Sequence, residues 1–219
     1  MKISPALQKA VCNLSADQKN KILLELLSKN ESYAQKLEFQ LLNTLTVVEL
    51  REKLFHTLDD ELHNNAMLYT PGQLLMFLRD LYRKIETHAQ LTGDTYGEVD
   101  LNIFVLNESL KLHSQSMTTF KYKQVETWCK FILAKTFKAL LQRTQLTNKE
   151  QLELYPDLEE LGHHYQNNKY LTRSARSHGL QLNWLLNNEV PNNLQEIHDG
   201  IKKLGYLQSR NPVKDRVKE

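Results

Sequence analysis

Residues 122–145 contain neither glycine nor proline, and no other stretch constrains the fold of this chain as strongly. At about 100° per residue, eight of its apolar side chains lie within an arc of about 180°: Val125, Trp128, Cys129, Ile132, Leu133, Phe137, Ala139 and Leu140. An arc of that width exceeds what a helix packed on one side needs, so we predict a central helix with neighbours on two sides. The remaining arc carries four cations, which predict a basic edge in solvent: Lys123, Lys130, Lys135 and Lys138.

The small number of turn-forming residues predicts the fold class. Seven glycines and five prolines in 219 residues favour long helices over a turn-rich sheet. A chain of this length also buries enough apolar surface to fold without a disulfide or a metal ion. We therefore predict an all-α fold, either a multi-helix bundle or a short irregular α-solenoid of helical hairpins. The hairpins resemble HEAT-type solenoids in helix count alone, because we find no internal repeat of about 40–47 residues.

Apolar residues at helical spacing predict four helices before residue 65, joined by short loops into antiparallel hairpins: 5–14, 15–30, 31–43 and 46–64. Ser15 and Gln18 have the spacing of a capping box at the second of these, and its apolar stripe, which includes Leu23 and Leu26, is expected to face a core. The clearest helix start is Thr70-Pro71-Gly72-Gln73, with threonine as the N-cap and proline at the first helical position. That helix is predicted to end at Leu91, before Gly93.

The segment 99–113 fits two patterns. Its first seven residues have apolar side chains at alternate positions, as in a strand, whereas Ile103, Leu106 and Leu110 recur at helical spacing. The length of the segment favours a helix.

The sequence after residue 145 predicts shorter helices. Pro156 predicts a break or kink in a helix over 148–165. Segment 166–193 is rich in Asn, Ser and His, which predicts an irregular connection with short helices at 170–177 and 182–186. A last helix is predicted to begin after Asn192 or Asn193 and to end at Leu204, with Gly205 as the left-handed residue after it.

The charge distribution is mildly uneven along the chain. Residues 1–118 hold 12 Lys and Arg against 15 Asp and Glu, whereas residues 119–219 hold 16 against 11. We predict a single helical domain over residues 1–208, with a sub-boundary near 115–121 beyond which the chain is more basic. Residues 209–219 are predicted to form a flexible tail, because they are charged and nearly devoid of apolar residues.

The two cysteines and the absence of long apolar runs predict the compartment. Cys12 and Cys129 are expected to be buried, reduced thiols and not a disulfide or a metal pair, which indicates a reducing compartment. The N-terminus lacks the apolar core of a signal peptide, and no stretch approaches 18 uninterrupted apolar residues. We predict a cytoplasmic location without membrane contact.

A metal site is one hypothesis for the helix over 46–64. His56, Asp60 and His63 are spaced to lie on one helical face, and Glu52 extends that face. A single helix cannot complete such a site, and no matching HxxxH or ExxH motif occurs elsewhere. The alternative is a solvated face opposite a leucine stripe, and we expect no cofactor.

The sequence contains no catalytic motif. It has no GxSxG nucleophile elbow, and Cys129 lies within the apolar arc of its predicted helix. Gly93 and Gly97 are followed by acids that would repel a phosphate group. We assign no catalytic residues and favour a protein that is not an enzyme.

Residues 163–186 combine cations with aromatic side chains, a mixture suited to nucleic acid. Between positions 165 and 186 the chain holds Lys169, Arg173 and Arg176 and no acid, together with aromatic residues that include Tyr170. Two lysines of the predicted central helix would extend this site if they share its face: Lys130 and Lys138. The alternative is an Asn-rich connection with solvated cations.

Part of this region, residues 171–190, resembles the helix-turn-helix motif of DNA-binding proteins. Four residues match its small, turn and apolar positions: Ala175, Gly179, Leu180 and Leu185. Four others depart from it: Ser174, His178, Leu182 and Asn188. The resemblance implies DNA contact by the second of two helices.

The sequence therefore supports three functional hypotheses. The first is a non-enzymatic helical interaction or scaffold module that binds another macromolecule, most readily a protein, through a groove between hairpins or through segment 166–193. The second is a nucleic-acid-binding protein that uses the basic C-terminal half. The third is a metal-dependent enzyme of the helical-bundle type, built on the face that contains His56. The sequence leaves the oligomeric state open.

Overall fold

The computed structural model describes residues 4–65 and 70–203, apart from the side chain of Ser32. These residues form twelve helices and no strand, so the prediction of an all-α, multi-helix fold is confirmed. The helices are α1 (Pro5–Cys12), α2 (Ala16–Lys29), α3 (Glu31–Leu42), α4 (Val47–Asn64), α5 (Pro71–Thr92), α6 (Thr95–Met117), α7 (Tyr122–Arg143), α8 (Asn148–Glu153), α9 (Tyr155–Asn167), α10 (Lys169–Ser177), α11 (Asn183–Leu186) and α12 (Leu194–Lys203). Contacts between residues divide the chain into two units, Met1–Thr46 and Val47–Glu219.

The first unit contains α1, α2 and α3, and each of these helices begins at a capping side chain. Ser4 and Asn30 accept hydrogen bonds from backbone N–H groups in the first turns of α1 and α3. Ser15 and Gln18 form the predicted capping box at the start of α2. Helices α2 and α3 pack against each other. Local chemistry therefore fixes where these helices begin.

The second unit is organised around α6, which packs against α4, α5, α7 and α9. Segment 99–113 lies inside α6, so the helical interpretation of its pattern is correct. Because α6 is covered by helices on several sides, residues around most of its circumference are buried. That burial explains why its apolar positions do not form a single helical stripe.

Helix α7 lies beside α6 and also contacts α5, α10 and α12. All eight apolar residues of the predicted arc are buried, as expected for a helix with several neighbours. The prediction of a basic edge in solvent is wrong for Lys135 and Lys138, because both side chains pair with Glu86 of α5. Lys138 also pairs with Glu98 of α6.

Helix α5 has the predicted limits, within one residue. The Thr70 hydroxyl accepts a hydrogen bond from the Gln73 backbone N–H at 3.2 Å, and Pro71 occupies the first turn. Gly93 ends the helix with a φ of 72°, a left-handed conformation that glycine adopts without a steric penalty.

The chain from α8 to α11 has the predicted short helices, and α8, α10 and α11 all pack against α9. Leu154 separates α8 from α9, so the expected break near Pro156 is present. The short helices α10 and α11 occur close to their predicted ranges and pack against α9. Several of their side chains are buried: Leu171, Ser174, Ala175, Trp184 and Leu185.

Buried Arg143, at the end of α7, joins this region to the core. Its guanidinium group donates hydrogen bonds to the Gln151 carbonyl at 3.1 and 2.6 Å. It also donates to the Asn188 side-chain oxygen at 2.7 Å. Asn188 has a φ of 58°, and this contact orients its side chain in that left-handed conformation.

Some sequence predictions concern residues outside the described ranges or remain predictions. Helix α12 is described as far as Lys203, so the predicted helix end at Leu204 and Gly205 and the tail over 209–219 lie outside these ranges. The predicted sub-boundary at 115–121 covers the end of α6 and the connection to α7, and these two helices pack against each other. The prediction of a single domain over 1–208 remains a prediction.

The two cysteines have different environments. Cys129 is buried as expected, and burial raises the pKa of its thiol to about 12. Cys12 is exposed, because α1 has no buried residue, so the prediction of a second buried thiol is wrong. No helix within the described ranges has both the length and the apolar character needed to cross a lipid bilayer.

Candidate interaction surfaces

A basic and aromatic surface forms where α10 packs against the first half of α7. We call it the α7–α10 surface and define it by six residues: Tyr122, Lys130, Lys169, Tyr170, Arg173 and Arg176. Five of them were predicted from the sequence, and the structure adds Tyr122.

Asn168 fixes the start of α10. Its side-chain oxygen accepts hydrogen bonds from the backbone N–H groups of Tyr170 at 2.9 Å and Leu171 at 3.1 Å. Its amide group donates to the Ser114 hydroxyl at 2.7 Å. Because Asn168 is fully buried, these contacts hold α10 to α6 and set the direction of its first turn.

Helix α10 is strongly amphipathic. Leu171, Ser174 and Ala175 are buried on one side. Lys169, Arg173 and Arg176 are exposed and fall within an arc of about 60° on the other side. The three cations therefore form a single stripe along the helix.

Aromatic rings lie directly beneath this stripe. The Arg173 guanidinium carbon lies 4.2 Å from the centroid of the Tyr122 ring. The Tyr122 and Tyr170 rings pack with centroids 5.5 Å apart, and the Lys169 ammonium lies 5.0 Å from the Tyr170 centroid. The Tyr170 hydroxyl donates a hydrogen bond to the Phe120 carbonyl at 2.7 Å, which fixes the position of that ring. Cation–π attraction thus orients two of the cations.

One carboxylate adjoins the α7–α10 surface. Glu126 pairs with Lys130 at 2.7 Å. The hydrogen bond from Lys130 lowers the pKa of Glu126, and the nearby positive charge of Arg173 acts in the same direction. The carboxylate that pairs with Lys130 on α7 thus also interacts electrostatically with Arg173 of the stripe on α10.

Lys138 does not belong to this surface. Its ammonium group lies 3.0 Å from Glu86 and 2.8 Å from Glu98, in an ion cluster on the side of α7 that faces α5 and α6. The sequence grouped Lys138 with Lys169 and Arg173 on the condition that they share a face, and the ion pairs with Glu86 and Glu98 show that this condition is not met. The two carboxylates belong to α5 and α6, which the periodicity of α7 does not reveal. Tyr122 was missed for the same reason.

The resemblance to a helix-turn-helix fails at its second helix. Gly179 adopts the expected left-handed conformation, with a φ of 78°. Helix α11 then has only four residues, and its Trp184 and Leu185 are buried. A helix this short and covered presents no recognition face to a DNA groove.

The first unit carries a different kind of surface, which is apolar. No residue of α1 or α2 is buried, and no residue of α3 whose side chain is described is buried. Nine of their large apolar side chains are between 44% and 72% exposed, and we call this set the N-terminal apolar surface: Leu7, Val11, Ile22, Leu23, Leu24, Leu26, Tyr33, Leu41 and Leu42.

The proposed metal ligands lie on the exposed face of α4. His56, Asp60, His63 and Glu52 are all exposed, and the His63 ring lies 3.1 Å from Asp59. Among residues 4–65 and 70–203, no group of three His, Cys, Asp or Glu side chains is placed to hold a metal ion.

Open clefts occur in the described part of the second unit, and two of them contain charged side chains. One, of about 610 Å³, is lined by Arg51, Asp94 and Tyr96. The other, of about 440 Å³, lies between α7 and α12 and is lined by Lys138 and His198. Arg51 and Lys138 are already paired with carboxylates, so neither adds an unpaired cation to its cleft.

Comparison with known proteins gives no indication of family. No protein-family model matches the chain, and neither the curated proteins nor the solved structures contain a match to it.

Proposed function

We propose that this protein is a non-enzymatic helical module that binds another protein through the N-terminal apolar surface. One observation carries the proposal: α1, α2 and α3 have no buried residue among the described side chains, yet nine large apolar side chains are exposed on them. Segment 166–193, the other docking site considered from the sequence, is packed against α7 and α9 and offers less apolar surface.

Helices of this size need external packing to be stable. They contain 8, 14 and 12 residues, and isolated helices shorter than about 12–15 residues are marginal in water. A segment of about 40 residues also buries too little surface to form a core of its own. A partner that covers the leucines would provide the missing burial.

The chemistry of the surface favours a protein partner over a polyanion. Residues 4–46 contain five lysines and four acids, so they produce no strong field of either sign. Nine large apolar side chains exposed on three short helices are more than the single scattered ones of an ordinary surface, and such an excess is typical of protein–protein contact. We infer a partner with an apolar groove or an apolar helical face that can pack beside α2 and α3.

We also propose that the protein is located in the cytoplasm. Cys12 and Cys129 are both free thiols, and the exposed thiol of Cys12 would be prone to pairing in an oxidising compartment. This supports a reducing environment, as the sequence suggested.

Site-specific photo-crosslinking in cells tests the proposal. A photoreactive amino acid is placed at Leu24 or at Leu42, which are 67% and 71% exposed. The matched control positions are Gln35 and Lys36, which are exposed and polar on α3. We expect both leucine positions to crosslink to the same second protein and the control positions to crosslink weakly.

Introduction of a negative charge completes the experiment. Leu24→Glu and Leu42→Glu should each abolish that crosslink from the other position, because a carboxylate is not tolerated in an apolar contact. Crosslinks that form only to residues 47–219 of the same chain, or that form equally at Gln35, would contradict the proposal.

A further inference from the structure

We propose that the α7–α10 surface binds single-stranded nucleic acid, with Lys169 and Arg176 on phosphates and the Arg173 guanidinium as a platform for a base. This would be a second binding activity, carried by the second unit, and it does not depend on the N-terminal apolar surface.

The charge of the surface is the first argument. Lys169, Arg173 and Arg176 form an exposed stripe on α10, and Glu126, the carboxylate near Arg173, is already paired with Lys130. Two further lysines at the start of α7, Lys121 and Lys123, are exposed. This local excess of cations contrasts with a net charge of only +2 for the whole chain, and it would attract a phosphate backbone.

The position of Arg173 is the second argument. Its guanidinium group lies over the Tyr122 ring at 4.2 Å, and α10 keeps Arg173 exposed to solvent. A planar guanidinium held against a ring leaves its outer face available for stacking, and RNA bases stack on arginine planes in this way. Tyr122 therefore acts as a support that orients Arg173 before a ligand arrives.

The geometry favours a single strand over a duplex. A duplex is read by a helix or ribbon that enters a groove, whereas α11 is only four residues long and its central residues are buried. Cations beside stacking groups are typical of surfaces that follow one unpaired strand.

The same surface fits an anionic membrane poorly. Binding at a lipid interface requires apolar side chains that insert next to the cations. No large apolar residue of α7 or α10, both of which are fully described, is exposed. The apolar residues of α10 instead face the core.

Fluorescence anisotropy with labelled oligonucleotides tests the proposal, using the full chain. The probes are a single-stranded 20-mer of mixed sequence, the matching duplex, heparin as competitor, and vesicles with 30% anionic lipid. We expect the single strand to bind more tightly than the duplex, with an affinity that falls steeply as salt increases.

Replacing Lys169, Arg173 and Arg176 together by alanine should reduce the slope of log affinity against log salt by about 2. The control is Arg79→Ala with Arg83→Ala, which removes exposed cations from α5.

Arg173→Lys separates base stacking from simple charge attraction. The substitution keeps the positive charge but removes the plane that lies over Tyr122. We expect affinity for the single strand to fall at least about fivefold, whereas affinity for heparin should stay within twofold. Every side chain replaced in these variants is exposed, so we expect each variant to fold. A thermal transition at the same temperature as that of the parent shows that the fold is intact.

Several outcomes would overturn the inference. One is that the unaltered chain shows no salt-dependent binding, or that it binds the duplex as tightly as the single strand or more tightly. Another is that it prefers anionic vesicles to the single strand. The last is that the Arg173→Lys variant binds the single strand as tightly as the parent does. Loss of the crosslinks at Leu24 and Leu42 bears only on the proposed protein partner, so the two proposals can fail separately.

Discussion

Arg51 of α4 and Asp94, the residue before α6, form a two-point ion pair across 43 positions of sequence. The Arg51 Nε lies 2.7 Å from Asp94 Oδ2, and Nη2 lies 2.9 Å from Oδ1. The same carboxylate accepts a hydrogen bond from the Gly97 N–H at 2.9 Å and lies 3.4 Å from the His88 ring. One side chain thus joins α4, α5 and the first turn of α6.

Removal of the arginine should destabilise the second unit. We expect Arg51→Met to lower the free energy of unfolding by about 2–4 kcal/mol, because Asp94 is 7% exposed and would lose its charged partner. Urea denaturation measures the change. Arg83→Met removes an exposed ion pair with Asp80 and should cost less than about 1 kcal/mol. Equal effects of the two substitutions would show that the Arg51 pair has no special role.

The same carboxylate predicts a dependence of stability on pH. Burial raises the pKa of Asp94, but hydrogen bonds from Arg51 and Gly97 outweigh it, so the pKa lies below its ordinary value. The ionised group therefore stabilises the fold above about pH 4, and this contribution is lost as pH falls through the pKa of the folded state. We expect Asp94→Asn to be destabilising at pH 7. Its difference from the parent should shrink towards pH 3 in urea denaturation.

Buried His113 predicts a second dependence on pH, nearer to neutrality. Neither ring nitrogen has a hydrogen-bond partner among the described residues, and burial lowers the pKa of the ring. The unfolded chain gains a proton below about pH 6.5 while the folded chain does not, so stability falls with acidification. His113→Leu should raise the free energy of unfolding by about 1–3 kcal/mol at pH 5.5, and by less at pH 7.5. A gain that is equal at both pH values would contradict this, and the exposed His56→Leu serves as the control.

Two glycines within helices should respond oppositely to alanine. A Cβ atom at Gly162 of α9 would lie 2.7 Å from Leu186 Cδ2 and 3.1 Å from Leu185 Cβ, whereas a Cβ atom at Gly200 of α12 would meet nothing within 4 Å. We expect Gly162→Ala to lower the melting temperature through a cost of about 1–3 kcal/mol. Gly200→Ala should raise stability by about 0.5–1 kcal/mol. Calorimetry of both variants checks the signs, and a stabilising Gly162→Ala would show that α9 and α11 are not in close contact.

A peptide of residues 1–46 should be largely unfolded in water. It contains no buried side chain among its described residues and only short helices, so little offsets the entropy of ordering. The fragment 47–219 should fold, because every buried residue in the described ranges lies between positions 58 and 201. Far-UV circular dichroism distinguishes the two fragments. A fully helical, concentration-independent peptide would contradict both this prediction and the proposed need for a partner.

Local chemistry explains which features the sequence revealed. The Thr70 and Ser15 caps depend on side chains within three residues of the helix start, and both were predicted correctly. The buried arc of α7 was also predicted, because periodicity within one helix is enough to identify a face with many neighbours.

Contacts between distant helices explain what the sequence did not reveal. Lys138 was assigned to a basic edge, but Glu86 and Glu98 reach it from two other helices. Tyr122 supports Arg173 from 51 positions away, a relationship that no local pattern contains. The exposure of the leucines in α2 was missed because an apolar stripe predicts burial whether or not the chain supplies a neighbour.

The position of α6 has a consequence for synthesis on the ribosome. Its circumference is covered by helices that precede it and by α7 and α9, which follow it. Until residue 167 has emerged, the nascent chain exposes the faces of α6 that these later helices cover, and such intermediates are prone to aggregation. Slow translation over residues 118–167 would prolong that state, so synonymous codon changes in this interval should alter the yield of protein without altering a single side chain.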